Sequence, residues 1–141
     1  MMRLVSLATL LALTVAPLGC QKQKQKPPAA PPEPVATVKA GDLIKEYRAN
    51  ALAADGKYKG KLIKVTGKFD GVQKAPLLGY VLQLLPEDAG EANLVFVQCF
   101  LAEEAHDEAS KLQAGQLITV LGTCDGQTVS QVKMSKCTLA K

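Results

Sequence analysis

Apolar and polar residues alternate most regularly from Lys57 to Asp70 (KYKGKLIKVTGKFD). Ile63, Val65, Gly67 and Phe69 share one parity there, and Lys64, Thr66 and Lys68 the other. A period of two with one polar face predicts a long strand packed on one side. Gly67 in its middle weakens that strand unless the chain bends there or another backbone comes close. The first strand of a small closed barrel needs such a bend. Ahead of it, Ile44, Tyr47, Ala51 and Ala54 recur at helical spacing. Asp42 is an acceptable N-cap and Asp55-Gly56 a plausible stop, so a short helix is expected, laid over the mouth of something larger.

Further on, Gly79–Leu85 reads as a second strand, halted by Pro86 and followed by a turn containing Glu87, Asp88, Gly90 and Glu91. The third, Asn93 to Phe100, is apolar on both faces, which predicts cover on both sides. Glu103 to Leu112 reads as a helix, with acid at its start and Lys111 near its end to suit the dipole. Ala105, Ala109 and Leu112 give it a narrow inner stripe, and Gly115 is a plausible stop. Leu117 to Cys124 forms a fourth strand, and Asp125-Gly126 predicts a hairpin into a fifth, Val129 to Leu139. In the fifth strand Val132 and Met134 share one parity, Cys137 and Leu139 the other. A bulge near Ser135-Lys136 reconciles them. The expected fold is mainly β with helices (α+β). It is a five-stranded oligonucleotide/oligosaccharide-binding (OB) barrel with an N-terminal helix and a helix between strands 3 and 4.

The N-terminus breaks the pattern. Residues 1–19 hold Arg3 and then an apolar run, too short for a membrane span and suited to a signal peptide. Ala16-Pro17-Leu18-Gly19-Cys20 resembles the bacterial lipobox, with Pro17 where Leu is usual. That resemblance implies cleavage before Cys20 and acylation of that cysteine, and several acyl chains anchor a protein stably. Gln21 after it resembles lipoproteins sorted to the outer membrane of Gram-negative bacteria. Residues 20–40 are rich in Gln, Lys and Pro and cannot build a core. At ~3.1 Å per residue they make a tether of roughly 60 Å. The folded domain is expected over 41–141.

Charge follows this division. The formal +4 of the whole chain comes from the leader and tether; from Gly41 onward twelve basic residues balance twelve acidic ones. A strong nucleic-acid binder concentrates positive charge in its domain, so the balance disfavours that class. Aromatics are sparse at 4%, with no Trp, which limits base stacking. The candidates for a ligand face are Tyr80, Phe96 and Phe100 as platforms, with Lys64 and Lys68 from a lysine run that also holds Lys57, Lys59, Lys61 and Lys74.

Specific residues resemble a known family. Tyr47, Asn50, Ala53 and Tyr58-Lys59-Gly60-Lys61 precede Val65-Thr66-Gly67; Val97-Gln98-Cys99-Phe100, Gly115-Gln116, Val120-x-Gly122 and Cys137 follow. Together they look like the tRNA-anti-like family of OB-fold domains, over about Asp42 to Leu139. The resemblance implies a bacterial secreted protein or lipoprotein carrying a binding module; the family name itself implies no tRNA binding.

With Cys20 assigned to lipid, Cys99, Cys124 and Cys137 remain. In an OB barrel the third and fifth strands run parallel and adjacent, which places Cys99 and Cys137 near one another. A Cys99–Cys137 disulfide is expected to staple the closure, with three buried thiols as the alternative. Cys124 is left over. No C-x-x-C pair supports a zinc site with His106, which reads as a solvated helix residue, and no metal or cofactor is expected. No H-E-x-x-H, G-x-S-x-G or P-loop is present, so no enzyme is expected. The sequence points to a lipid-anchored envelope module that meets the membrane through its anchor and binds a protein, peptide or glycan. Single-stranded nucleic acid is the second reading.

Overall fold

The computed structural model describes residues 33–89 and 95–141. The leader, Cys20 and the tether as far as residue 32 lie outside them, as do Gly90, Glu91, Asn93 and Leu94. The elements are β1 (Ala36–Lys39), α1 (Ala40–Ala49), α2 (Ala51–Tyr58), β2 (Leu62–Ala75), β3 (Gly79–Leu85) and β4 (Val97–Leu101). A 3₁₀ turn (Glu103–Ala105) and α3 (His106–Ala109) precede β5 (Leu117–Thr128) and β6 (Gln131–Leu139).

The sheet runs β1-β2-β3-β4-β6-β5, and a β2–β5 pairing closes β2 to β6 into the expected five-stranded barrel. The strands predicted third and fifth, β4 and β6, lie side by side and parallel. Their register slips between Cys99 and Leu101, and that of β5 against β6 between Leu121 and Thr123. Both slips surround the expected bulge, where Lys136 has φ 52° and both Met134 and Cys137 turn inward, fully buried.

Strand β1 was not expected: it forms within the stretch assigned to the tether. It runs parallel to β2, pairing Ala36 with Ile63 and Lys39 with Thr66. On that same edge of β2, β3 pairs only from Lys68 onward. Gly67 lies where one neighbour gives way to the other. A Cβ on Gly67 would stand 2.7 Å from the Leu85 carbonyl oxygen and 2.9 Å from the Ala40 methyl. The glycine is there for close approach, the second of the two reasons the sequence offered.

The single helix expected up to Gly56 is two helices. In α1, Ala40, Leu43, Ile44 and Tyr47 form one buried stripe. Asn50 breaks the axis with φ −160°; its amide N–H bonds the Glu46 carbonyl, closing α1, and its side chain accepts from Ala53 N–H at 3.1 Å, opening α2. Asp42 sits in the first turn of α1; the N-cap is Lys39. Helix α2 continues through Gly56 to Tyr58, which is wholly buried, so the first barrel strand begins at Leu62.

Two other boundaries move. Gly126, at φ 96°, forms a bulge inside β5, and the hairpin turn falls at Val129-Ser130. An Asp-Gly pair satisfies a G1 bulge as well as a tight turn. The helix after β4 is short, a 3₁₀ turn followed by four helical residues, with Ala105 and Ala109 buried. No helix among the described residues is long and apolar enough to cross a membrane.

Candidate ligand-binding face

Strand alternation divides the barrel wall. Leu82 and Leu84 of β3, Val97 and Cys99 of β4, and Val132 and Met134 of β6 point into the core. The opposite parity faces outward: Val81 and Gln83, then Gln98 and Phe100, then Lys133. Register sets these in two rows. One runs Gln73–Val81–Phe100 across β2, β3 and β4. The other runs Gly71–Gln83–Gln98–Lys133 and reaches β6. Phe96, two residues before Gln98, extends the outward parity of β4, and both Phe96 and Phe100 are half-buried. The third strand is therefore fully covered on its inner side only.

This face joins two aromatic platforms to side-chain amides that both donate and accept hydrogen bonds. Among the described residues it holds one cation, Lys133, while Gln83 and Val81 lie buried at its centre, at 9% and 5% exposure. The sequence reading missed Gln73, Gln83, Gln98 and Lys133. Their signal was the parity of Leu82, Leu84, Val97 and Cys99: once those are inward, the residues between them must face outward.

The five expected face residues do not form one surface. Phe96 and Phe100 lie on the amide face. Lys68 borders it, paired with Leu85 on one side and Leu117 on the other. Lys64 lies farther round the wall, between Thr37 of β1 and Leu121 of β5. Tyr80 has the parity of Leu82 and emerges at the barrel mouth, where its ring meets that of His106 edge-on with centroids 4.9 Å apart. The two rings border a cleft of about 610 Å³ whose apolar walls include Phe69, Val72, Leu101 and Leu112. A bulge at Asp70 gives Phe69 and Val72 the same inner parity, which places both in that cleft. His106 is thus half-buried against Tyr80 instead of solvated.

The lysine run is largely committed within the fold. Lys57 pairs with Glu46 at 2.9 Å and lies over the Tyr58 ring; the Tyr58 hydroxyl donates to the same carboxylate. These bonds, the Lys57 one first, hold the Glu46 carboxyl below its usual range. Lys59 pairs with Asp55 at 3.2 Å, and Lys61 donates to the Gly56 and Lys57 carbonyls at the end of α2. Lys64, Lys68 and Lys74 make no ion pair among the described residues.

The structure carries Cys99, Cys124 and Cys137 as buried thiols, and no disulfide joins any of them. Cys99 and Cys137 nevertheless interact. A hydrogen bond between the two thiols, together with burial, pushes Cys99 well above its ordinary range. Gly122 makes room for this pair, since a Cβ there would lie 2.6 Å from the Cys137 sulfur. Cys124 faces Tyr47, whose hydroxyl lies 3.4 Å from its sulfur; burial above all raises both groups. No cluster of three or more metal-ligating side chains occurs among the described residues.

Comparison with known proteins agrees with the barrel. The tRNA-anti-like family model matches residues 1–138. Among solved structures, 49 chains match. One is a protein from Klebsiella pneumoniae subsp. pneumoniae described as a putative nucleic acid-binding lipoprotein, 16% identical, with a TM-score of 0.59, covering 74% of this chain and 91% of that one. At that identity the likeness is one of fold. No curated protein matches.

Proposed function

The chain belongs to the tRNA-anti-like family of OB-fold domains, and we propose that it acts as a non-catalytic binding module held in the bacterial envelope by lipid on Cys20. Its ligand is a peptide, a protein segment or a glycan, taken on the outward face of β3, β4 and β6. The observation that carries this reading is the chemistry of the face: Gln73 and Gln98 beside Phe96 and Phe100, around a buried Gln83, with Lys133 its one cation among the described residues. Amides and aromatic faces suit hydroxyl-rich or amide-rich ligands, whereas a polyphosphate backbone needs several free cations. The lipobox-like segment supports the anchor, as does the description of the Klebsiella protein as a lipoprotein. Placement on the periplasmic side of an outer membrane rests on Gln21 after the cysteine.

Amide-resolved NMR titration with a library of short extended peptides and soluble cell-wall glycan fragments tests the face. Perturbations are expected at Gln83, Gln98, Phe100 and Lys133, changing little with salt, and weakened by Phe100→Ala. A parallel titration with single-stranded DNA and RNA at low salt addresses what is said of the Klebsiella protein. Binding there that collapses as salt rises would replace the peptide or glycan reading with a nucleic-acid one. For the anchor, the intact mass of the membrane-extracted chain is expected to show acylation that Cys20→Ala abolishes.

A further inference from the structure

The β2–β3 hairpin ends in Ala75-Pro76-Leu77-Leu78-Gly79, and its two leucines have no cover. Leu77 is 105% exposed and Leu78 63% exposed. Leu77 also holds φ 66°, a conformation that glycine or asparagine adopts more readily. Folding therefore gives no reason for leucine at this position. Directly behind the tip, Lys74 pairs with Tyr80 across the two strands. Along the hairpin the order is apolar tip, then an amphipathic ring beside a long-stemmed cation, then polar Gln73. That order matches the layers of a bilayer surface, with acyl region, interface and headgroups in turn.

The position of the tip agrees with its chemistry. Val35 N–H bonds the Leu62 carbonyl, so the tether joins the barrel at the opposite end of β2 from Leu77. The 14 residues of β2 extend over about 45 Å at most. The fifteen residue-to-residue steps from Cys20 to Val35 reach at most about 50 Å whatever their conformation. A chain lipidated at Cys20 therefore has enough length between anchor and barrel for the Leu77 tip to reach the membrane that holds the anchor.

We propose that the Leu77-Leu78 hairpin tip is a membrane contact, dipping into the interface of a phospholipid bilayer and orienting the barrel above it. This rests on the lipid-anchor reading of Cys20. The native chain has no tryptophan, so one placed at the tip is a clean reporter. The lipidated chain carrying Leu78→Trp, or Leu77→Trp as a second position, is reconstituted into phosphatidylethanolamine/phosphatidylglycerol vesicles, some containing lipid brominated high on the acyl chain. Val129→Trp is the control: Val129 is 95% exposed, on the hairpin beyond the Leu62 end of β2.

The expected result is blue-shifted emission and bromolipid quenching at position 78 and neither at 129. Leu77→Asp in the Leu78→Trp background is expected to remove the quenching. Deleting residues 23–32, which draws the Leu62 end toward the bilayer, is expected to remove it also. A chain that floats with the vesicles but leaves tip and control tryptophans equally unquenched overturns the tip contact and leaves the anchor standing. A chain that fails to float overturns the anchor and the tip contact with it.

Discussion

Gly67 and Leu85 meet so closely that any other residue at position 67 forces the backbone to shift: a Cβ would come 2.7 Å from the Leu85 carbonyl oxygen. The contact fixes the point at which β2 exchanges β3 for β1 as its neighbour, and the Ala40 methyl closes the other side. Sheet and helix are joined there with only the Ala40 methyl between them.

Gly67→Ala is accordingly expected to destabilise the fold by about 1–3 kcal/mol, the usual cost of overpacking where backbone must move. Gly71, four residues on, has nothing within 4 Å of its Cβ position. Gly71→Ala should be neutral or slightly stabilising, by up to about 0.5 kcal/mol. Urea unfolding of both variants checks the contrast, and an equal loss at the two positions would contradict the close-approach account.

The thiols allow a second test. Cys99, Cys124 and Cys137 are each 0% exposed, so the folded chain should resist iodoacetamide until it is unfolded. Peptide maps of chain alkylated and digested without reductant are expected to show Cys99, Cys124 and Cys137 all as thiols. A disulfide-linked peptide pair from the folded chain would contradict the three-thiol core.

The same burial sets the response to alkali. Cys99 and Cys124 are raised from an ordinary 9.0, Tyr47 and Tyr58 from 10.0. Because the folded state keeps these groups protonated, their contribution is complete below about pH 9 and is lost as pH climbs, when the unfolded chain ionises first. Each group steepens the fall by up to about 1.4 kcal/mol per pH unit. Urea midpoints should be level between about pH 7 and 8.5 and drop beyond, less so in Cys124→Ala. In acid the lowered Glu46 works oppositely: its contribution is present above 4.5 and fades as pH falls below.

The lysines separate into two groups under mutation. Lys61→Ala removes two hydrogen bonds to the last carbonyls of α2 and should cost about 1 kcal/mol. Lys64→Ala and Lys68→Ala, which break no ion pair, should fall within about 0.5 kcal/mol. Thermal midpoints decide it; similar losses for all three would mean that the run acts as one unit.

Much of the barrel was legible because its signals are local and mutually consistent. Gly79–Leu85 was found to the residue, since a mostly apolar run is bounded there by glycine and proline. The bulge at Ser135-Lys136 followed from one change of parity. Strand β1 escaped notice because four residues after a proline-rich stretch carry no period of their own; the edge of β2 that they pair with is supplied from more than twenty positions away. The lysine run looked free because its partners Glu46 and Asp55 belong to helices whose placement the sequence does not state. Tyr80 and Phe100 looked like one platform because residue type is visible in a sequence, whereas the facing of a residue at a barrel mouth depends on where the core ends.

The closing strand has a consequence in time. β6 seals the barrel on both edges, against β4 and against β5, and it is the last strand in the chain. When a polypeptide crosses a membrane N-terminus first, Cys99 and Cys124 arrive before Cys137, and neither has yet been sealed in a core. During that interval Cys124 is the available partner for Cys99 among the barrel's thiols. A fast oxidant would trap that mismatch, and a slow one would meet a closed wall. For a chain exported as proposed, the arrival of one nine-residue strand is what puts all three thiols out of an oxidant's reach.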